Sequence, residues 1–217
     1  MFFIGKQVIF NLFFSIFKIF CFEGTVMRYL EQKILTEGKV LDGGILKVDG
    51  FLNHRMDVAC LNTLGKEIYE HYKNCNVNKI LTVEASGIGI ACITAQFFNC
   101  KVLVAKKHKS LNISSDVYFS KVFSFTHKTE NTIMVSKEYL NAEDNVLIVD
   151  DFLANGNACL GLIDIVKQAG GTVKGISCCV EKTYQGGYQK LVDLGYDVYS
   201  LARIAKMEDG KIEFVKD

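Results

Sequence analysis

Three features of the sequence predict an α/β fold: a doubly wound parallel sheet of about five strands with an antiparallel flap hairpin inserted into it. Apolar runs of strand length recur without inside-outside alternation. Helical patterns separate most of them, and one segment alternates apolar and polar residues instead. Strands buried on both faces lose the alternation that a half-solvated strand keeps, and helical crossovers supply the cover.

Residues 1–26, MFFIGKQVIFNLFFSIFKIFCFEGTV, stand apart in composition, rich in Phe and Ile. A membrane span needs about 20 apolar residues, whereas Lys6 and Lys18 leave only residues 7–17 uncharged between them. The segment has neither the basic amino end nor the small-residue cleavage site of a signal peptide. It reads as an apolar N-terminal extension ahead of a domain spanning 27–217, with initiation at Met27. A membrane-associating helix and a packed helix are the alternatives.

Beyond it, MRYLEQKILTEG has the pattern of an amphipathic helix. The expected strands are KILTVE at 79–84, KVLVA at 101–105, NVLIVDD at 145–151, TVKGISCCVE at 172–181 and YDVYSLARI at 196–204. The helical patterns between them are IGIACITAQFF, ACLGLIDIVKQAGG with its glycine stop, and YQKLVDLG. Residues 117–136, VYFSKVFSFTHKTENTIMVS, alternate on both sides of a polar turn, which suits an antiparallel hairpin or mobile flap rather than another crossover. Phe119, Phe123 and Phe125 suit packing of that flap or of a dimer better than base stacking.

A chain of 217 residues is one ordinary domain with an appendage. Its 25 Lys+Arg against 24 Asp+Glu give a net charge of +1, so no global field draws nucleic acid or an anionic membrane and any anion site is local. The eight cysteines include no CxxC and most lie in apolar stretches, such as Cys92, Cys178 and Cys179. Buried free thiols of a reducing cytoplasm fit better than disulfides or zinc. His54, His71, His108 and His127 include no pair at metal-ligand spacing. Turns rest on Gly, Asn and Asp, since proline is absent.

The candidate site lies in VLIVDDFLANGNA, 146–158. Four apolar residues run into Asp150 and Asp151, whose side chains leave opposite faces of a strand and meet one ligand only where the strand ends. The following Ala/Asn/Gly loop feeds a helix amino end, where free N–H groups and the dipole favour phosphate. Carboxylates accept from hydroxyls and backbone N–H groups donate to phosphate, so a ribose 5-phosphate satisfies both. No Walker loop is present.

This stretch resembles the phosphoribosyl-pyrophosphate motif of the type I phosphoribosyltransferases, whose fold adds a small hood region to the sheet and flap. The resemblance implies that Asp150 and Asp151 hold the ribose hydroxyls while Ala154, Asn155, Gly156, Asn157 and Ala158 wrap the 5-phosphate. EASGIGIA, from Glu84, opens a second helix after a strand; Cys92 stands where a dinucleotide fingerprint needs its third glycine, so a second anion-binding turn fits better. In the family that turn binds pyrophosphate, here through Ala85 and Ser86, with Lys107 and Lys109 of the basic KKHK cluster supplying charge. Such lysines reach across a homodimer interface in the family.

The stretches LKVDGFLNHRMD (46–57) and SCCVEKTYQGG (177–187) resemble the xanthine-specific branch of bacterial purine salvage, and the similarity extends over nearly all of 27–217. The chemistry agrees: a 6-oxopurine needs a donor at O6, which Lys182 supplies, and adenine would meet it donor against donor. Asn53 donates and accepts, and Leu46 covers the ring face. The implied reaction joins phosphoribosyl pyrophosphate to xanthine, with Mg2+ carried on the donor and no metal ligands from the protein itself. A guanine or hypoxanthine transferase is the alternative within the family. A non-catalytic regulator would carry a DNA-binding domain ahead of the fold, and residues 1–26 have no helix-turn-helix pattern.

Overall fold

A computed structural model describes residues 21–22, 25–107, 116–124, 129–208 and 210–216. Its centre is a six-stranded sheet built from β5 (Lys79–Val83), β6 (Lys101–Ala105), β9 (Asn145–Leu153), β10 (Thr172–Lys182), β11 (Val198–Glu208) and β12 (Lys211–Phe214). The order is β12-β11-β10-β9-β5-β6, and every pairing is parallel except β11 with β12. All five expected strands are present. The edge strand β12 was not anticipated, because KIEF alternates in exposure and is too short to stand out in sequence.

Helices α1 (Tyr29–Glu37), α2 (Val58–Tyr72) and α3 (Ile88–Phe98) pack on one face of the sheet. Helices α4 (Asn157–Gln168) and α5 (Gly187–Asp193) cover the other. Sequence reading did not single out α2, yet its pattern is regular: Leu61, Leu64, Ile68 and Tyr72 form the buried stripe. Asp57 caps it by accepting from Cys60 N at 3.0 Å. Cys178 and Cys179 are buried, as expected, whereas Cys92 is exposed because α3 buries only Ile90, Ala91, Thr94 and Ala95.

The hood is the short hairpin β3 (Lys39–Leu41) and β4 (Ile45–Lys47), followed by a wound turn at 48–57. Leu52 N donates to Val48 O at 3.0 Å and Arg55 N to Asp49 O at 2.9 Å. These bonds bury Phe51 and Leu52 in the core and bring Asn53 to the sheet. The 117–136 segment is the antiparallel pair β7 (Val117–Ser124) and β8 (Thr129–Ser136), in register from Val117–Ser136 to Ser124–Thr129. It is a docked element. Ile133 and Val135 enter the core of α4, Gln168 Nε2 donates to Phe119 O at 2.8 Å, and Met134 of β8 bridges Lys106, just past the end of β6. Phe119 itself is exposed; Phe125 lies outside the described residues.

Of residues 1–26 the structure describes only the two-residue antiparallel pair β1 (Cys21–Phe22) and β2 (Thr25–Val26). Among the described residues no helix is long and apolar enough to cross a membrane.

Candidate active site

Neighbouring strands β5 and β9 are paired only from Lys79–Val146 to Leu81–Ile148. The helix after β5 goes to one face and the helix after β9 to the other. That reversal opens a crevice at the carboxyl ends of the two strands, the place where open parallel sheets bind ligands. Asp150 and Asp151 lie at its edge.

Both carboxylates are buried, with exposures of 5% and 7%. The expectation that the strand stops at the aspartates is corrected by the structure, since β9 runs on to Leu153. Alternation is broken just there. Leu147 and Val149 face the hood side and Val146 and Ile148 the opposite side, but Phe152 joins the hood side directly after Asp151. The adjoining strands repeat the slip, placing Cys179 with Val180, and Leu201 with Ala202, on the hood side in succession. The break in alternation is shared by three strands, and their pairing register runs through it unchanged. Through it Asp151 and Lys182 both address the hood.

Asp151 Oδ2 accepts from Asn53 Nδ2 at 2.8 Å, and Asp150 Oδ1 accepts from Asp151 N at 2.9 Å. Burial, with the adjacent Asp151 carboxylate, pushes the Asp150 carboxyl well above the usual carboxylate range. A charge so placed is relieved by hydroxyl donors or a cation. Lys182 ends β10, half-buried, and its Nζ donates to Gly44 O of the hood hairpin at 3.3 Å. Burial lowers its pKa. Leu46, on β4 of the same hairpin, is buried in the core cluster beneath the hood.

The loop Ala85–Ser86–Gly87 leaves β5 and opens α3, beginning with a cis peptide at Glu84–Ala85. Gly87 sits against Asp150: a Cβ there would collide with Thr82 Oγ1 and lie 2.9 Å from Asp150 Oδ1. The loop at 154–156 leads into α4, with Gly156 at φ +81° and Asn157 N donating to Asn155 Oδ1 at 3.1 Å. Ala158 lies in the first turn of α4.

The structure therefore groups Asp150, Asp151, Asn53, the 85–87 loop and the 154–158 loop about one crevice, with Lys182 joined to the hood beside Leu46. Lys107 is exposed at the end of β6, its backbone N–H donating to Glu84 Oε1. Lys106 Nζ lies 3.4 Å from Glu84 Oε2. Lys109 lies outside the described residues. Sequence reading missed the part played by Glu84, which ties the basic segment to the start of the 85–87 loop. The signal was available in a lone carboxylate at one strand end facing a basic cluster at the next.

No family model matches the chain. A xanthine phosphoribosyltransferase of Ruminiclostridium cellulolyticum is 55% identical over 190 residues, 88% of this chain and 100% of the relative. One from Clostridium novyi is 50% identical over 87% of this chain and 99% of the relative, and one from Acinetobacter baumannii is 47% identical over 88% and 100%. The chain belongs to the xanthine phosphoribosyltransferase family. Solved structures support the architecture expected of such a transferase. The adenine phosphoribosyltransferase of Trypanosoma brucei, in complex with AMP, pyrophosphate and ribose-5-phosphate, superposes with a TM-score of 0.67 at 15% identity, covering 79% of this chain and 78% of that one. The Giardia lamblia enzyme with 9-deazaadenine gives 0.60 at 24% identity over 67% and 80%. At those identities the likeness establishes the type I phosphoribosyltransferase fold.

Proposed function

We propose that the protein transfers the phosphoribosyl group of 5-phosphoribosyl 1-pyrophosphate to N9 of xanthine, giving xanthosine 5-monophosphate and pyrophosphate in purine salvage. The bond from ribose carbon 1 to the pyrophosphate oxygen breaks, a bond to N9 forms, and the imidazole N–H proton of the base passes to the departing pyrophosphate or to solvent. The observation that carries the residue assignments is the 2.8 Å hydrogen bond from Asn53 to Asp151. It joins the residue assigned to the base with the carboxylate assigned to the ribose, so the reacting carbon lies between two adjoining subsites.

Asp150 and Asp151 accept from the ribose hydroxyls and favour the positive charge that develops on the sugar. The N–H groups of 154–158 hold the 5-phosphate, and Ala85, Ser86, Lys107 and Lys109 hold the pyrophosphate. Fixing both ends of the donor aligns carbon 1 for attack. An amide carries two N–H donors and one carbonyl. Asn53 spends one N–H on Asp151, which leaves the other for the 2-oxo group and its carbonyl for a ring N–H. Lys182 donates to O6 while Leu46 covers the ring. The hairpin excludes water that would hydrolyse the donor.

Asp150 and Asp151, buried and adjoining, would favour a cation nearby, and Mg2+ keeps most of its ligands on substrate oxygens and water. Carried on the donor's oxygens, Mg2+ supplies charge neutralisation for the departing pyrophosphate. We assign the protein to the cytoplasm, as a homodimer, with 27–217 as the catalytic domain and 1–26 as an extension.

The test is pyrophosphate release from the donor and Mg2+ with xanthine, guanine, hypoxanthine and adenine in parallel, for the full chain and for one begun at Met27. Turnover is expected to be fastest with xanthine and equal in the two chains. Equal rates with guanine would remove the specificity assignment to Asn53 and Lys182, and donor binding without turnover on any base would make the protein a sensor.

A further inference from the structure

The segment QGG at 185–187 ends the stretch SCCVEKTYQGG, and nothing in the reaction as proposed uses its glycines. In the fold it joins the end of β10, where Lys182 stands, to helix α5. Its second glycine lies against the 154–156 loop. Gly187 N donates to Ala154 O at 3.0 Å, and Lys190 Nζ, one turn on, reaches Asn155 O at 3.3 Å. A Cβ on Gly187 would collide with Ala154 O and stand 2.6 Å from Gly156 N and 2.8 Å from Asn155 C. From the other side, a Cβ on Gly156 would stand 3.3 Å from Gly187 Cα. Two backbones touch here, and all the atoms in the way are main chain, which cannot rotate aside.

The need for glycine at 187 is one of approach rather than of backbone conformation. The left-handed residue is its neighbour, Gly186 at φ +74°, where a Cβ would meet nothing within 4 Å. Gly187 opens a helix, where alanine is intrinsically the better residue. A glycine at a position that favours alanine, pressed on the loop assigned to the 5-phosphate, marks a backstop for that loop.

We infer that Gly187 is a positioning residue for phosphoribosyl transfer: with the Lys190 contact it fixes the 154–156 backbone so that its N–H groups meet the donor's 5-phosphate. The inference rests on the assignment of that loop to the 5-phosphate. Because the same connector begins at Lys182, the backstop also sets the spacing between the phosphate loop and the base lysine.

The test compares wild type with Gly187→Ala by calorimetric titration of two probes, ribose 5-phosphate and pyrophosphate with Mg2+, together with steady-state kinetics and thermal unfolding. The expected result is ribose 5-phosphate binding weakened at least tenfold and pyrophosphate binding changed less than twofold. KM for the donor rises in parallel, with little change in kcat. The melting temperature of Gly187→Ala falls modestly, since overpacking against main chain outweighs the helical preference for alanine, and the pyrophosphate probe separates this local strain from general damage. Lys190→Met, which removes one exposed contact, gives a loss of about two- to threefold. Equal weakening of both probes would overturn the inference in favour of general damage, as would ribose 5-phosphate binding unaltered in Gly187→Ala. Wild type that fails to bind ribose 5-phosphate at all would instead refute the loop assignment beneath it.

Discussion

Replacing Asn53 by Asp turns the bond to Asp151 into a contact between two carboxylates. The donor nitrogen and acceptor oxygen are 2.8 Å apart. At an effective dielectric constant of about 20, two full charges at that separation repel by about 6 kcal/mol, which sets the ceiling before the new side chain rotates. That energy corresponds to roughly four pH units between the two ionisations, so the pair keeps a shared proton into the neutral range. The folded-state pKa of the pair is then raised above the unfolded value of about 4. A raised pKa contributes stability that is fully present below the unfolded value and is lost as pH rises through the folded one. If only about 2 kcal/mol of the ceiling survives relaxation, the melting temperature relative to wild type falls by about 4–8 °C between acid and neutral pH. Asn53→Ala is the control: it removes a bond to a charged group, worth about 1.5–3 kcal/mol, without adding a second carboxylate. Thermal unfolding of the three proteins from about pH 3 to about pH 8 decides the matter. A difference between Asn53→Asp and wild type that stays constant across that range would refute the contact and with it the adjacency of the two subsites.

Asp151→Asn is expected to cut kcat/KM about 100-fold, in the range of a lost transition-state contact, with unchanged circular dichroism; wild-type turnover would remove its role. Burial lowers the Lys182 pKa, so its charge is present at low pH and fades as pH rises through the lowered value. KM for xanthine should therefore climb on the alkaline side, and Lys182→Arg should move that limb upward; an unmoved limb would assign the titration elsewhere. Gly161→Ala sets a methyl against Val122 and 3.0 Å from Ile133 Cδ1, on the face where the hairpin docks. Overpacking there should cost about 1–3 kcal/mol in denaturant unfolding, and no loss would mean that the hairpin is loosely seated.

Local pattern was enough to read the central strands and most of the helices, because burial on both faces and helical periodicity are properties of short stretches. KILTVE and KVLVA each carry a full strand, NVLIVDD carries β9 to within two residues of its end at Leu153, and IGIACITAQFF coincides with α3 from Ile88 to Phe98. The loop at 154–156 ahead of α4 was legible for the same reason, since small residues ahead of a helix are a local signal. Helix α2 was equally regular and was passed over beside the motif-bearing turn that precedes it.

Adjacency was decided by the tertiary structure alone. Nothing in sequence indicates that Asn53 lies 2.8 Å from Asp151, 98 positions away, or that Glu84 holds the start of the basic cluster. The break in alternation shared by β9, β10 and β11 is likewise a property of three strands in register, and it leaves Asp151 and Lys182 both addressing the hood. By itself the sequence determined which groups can accept from hydroxyls, donate to phosphate or face an oxopurine, because those capacities belong to side chains and loops. The fold decided which of them meet, since long-range distance is set by sheet order and packing, which no local pattern encodes.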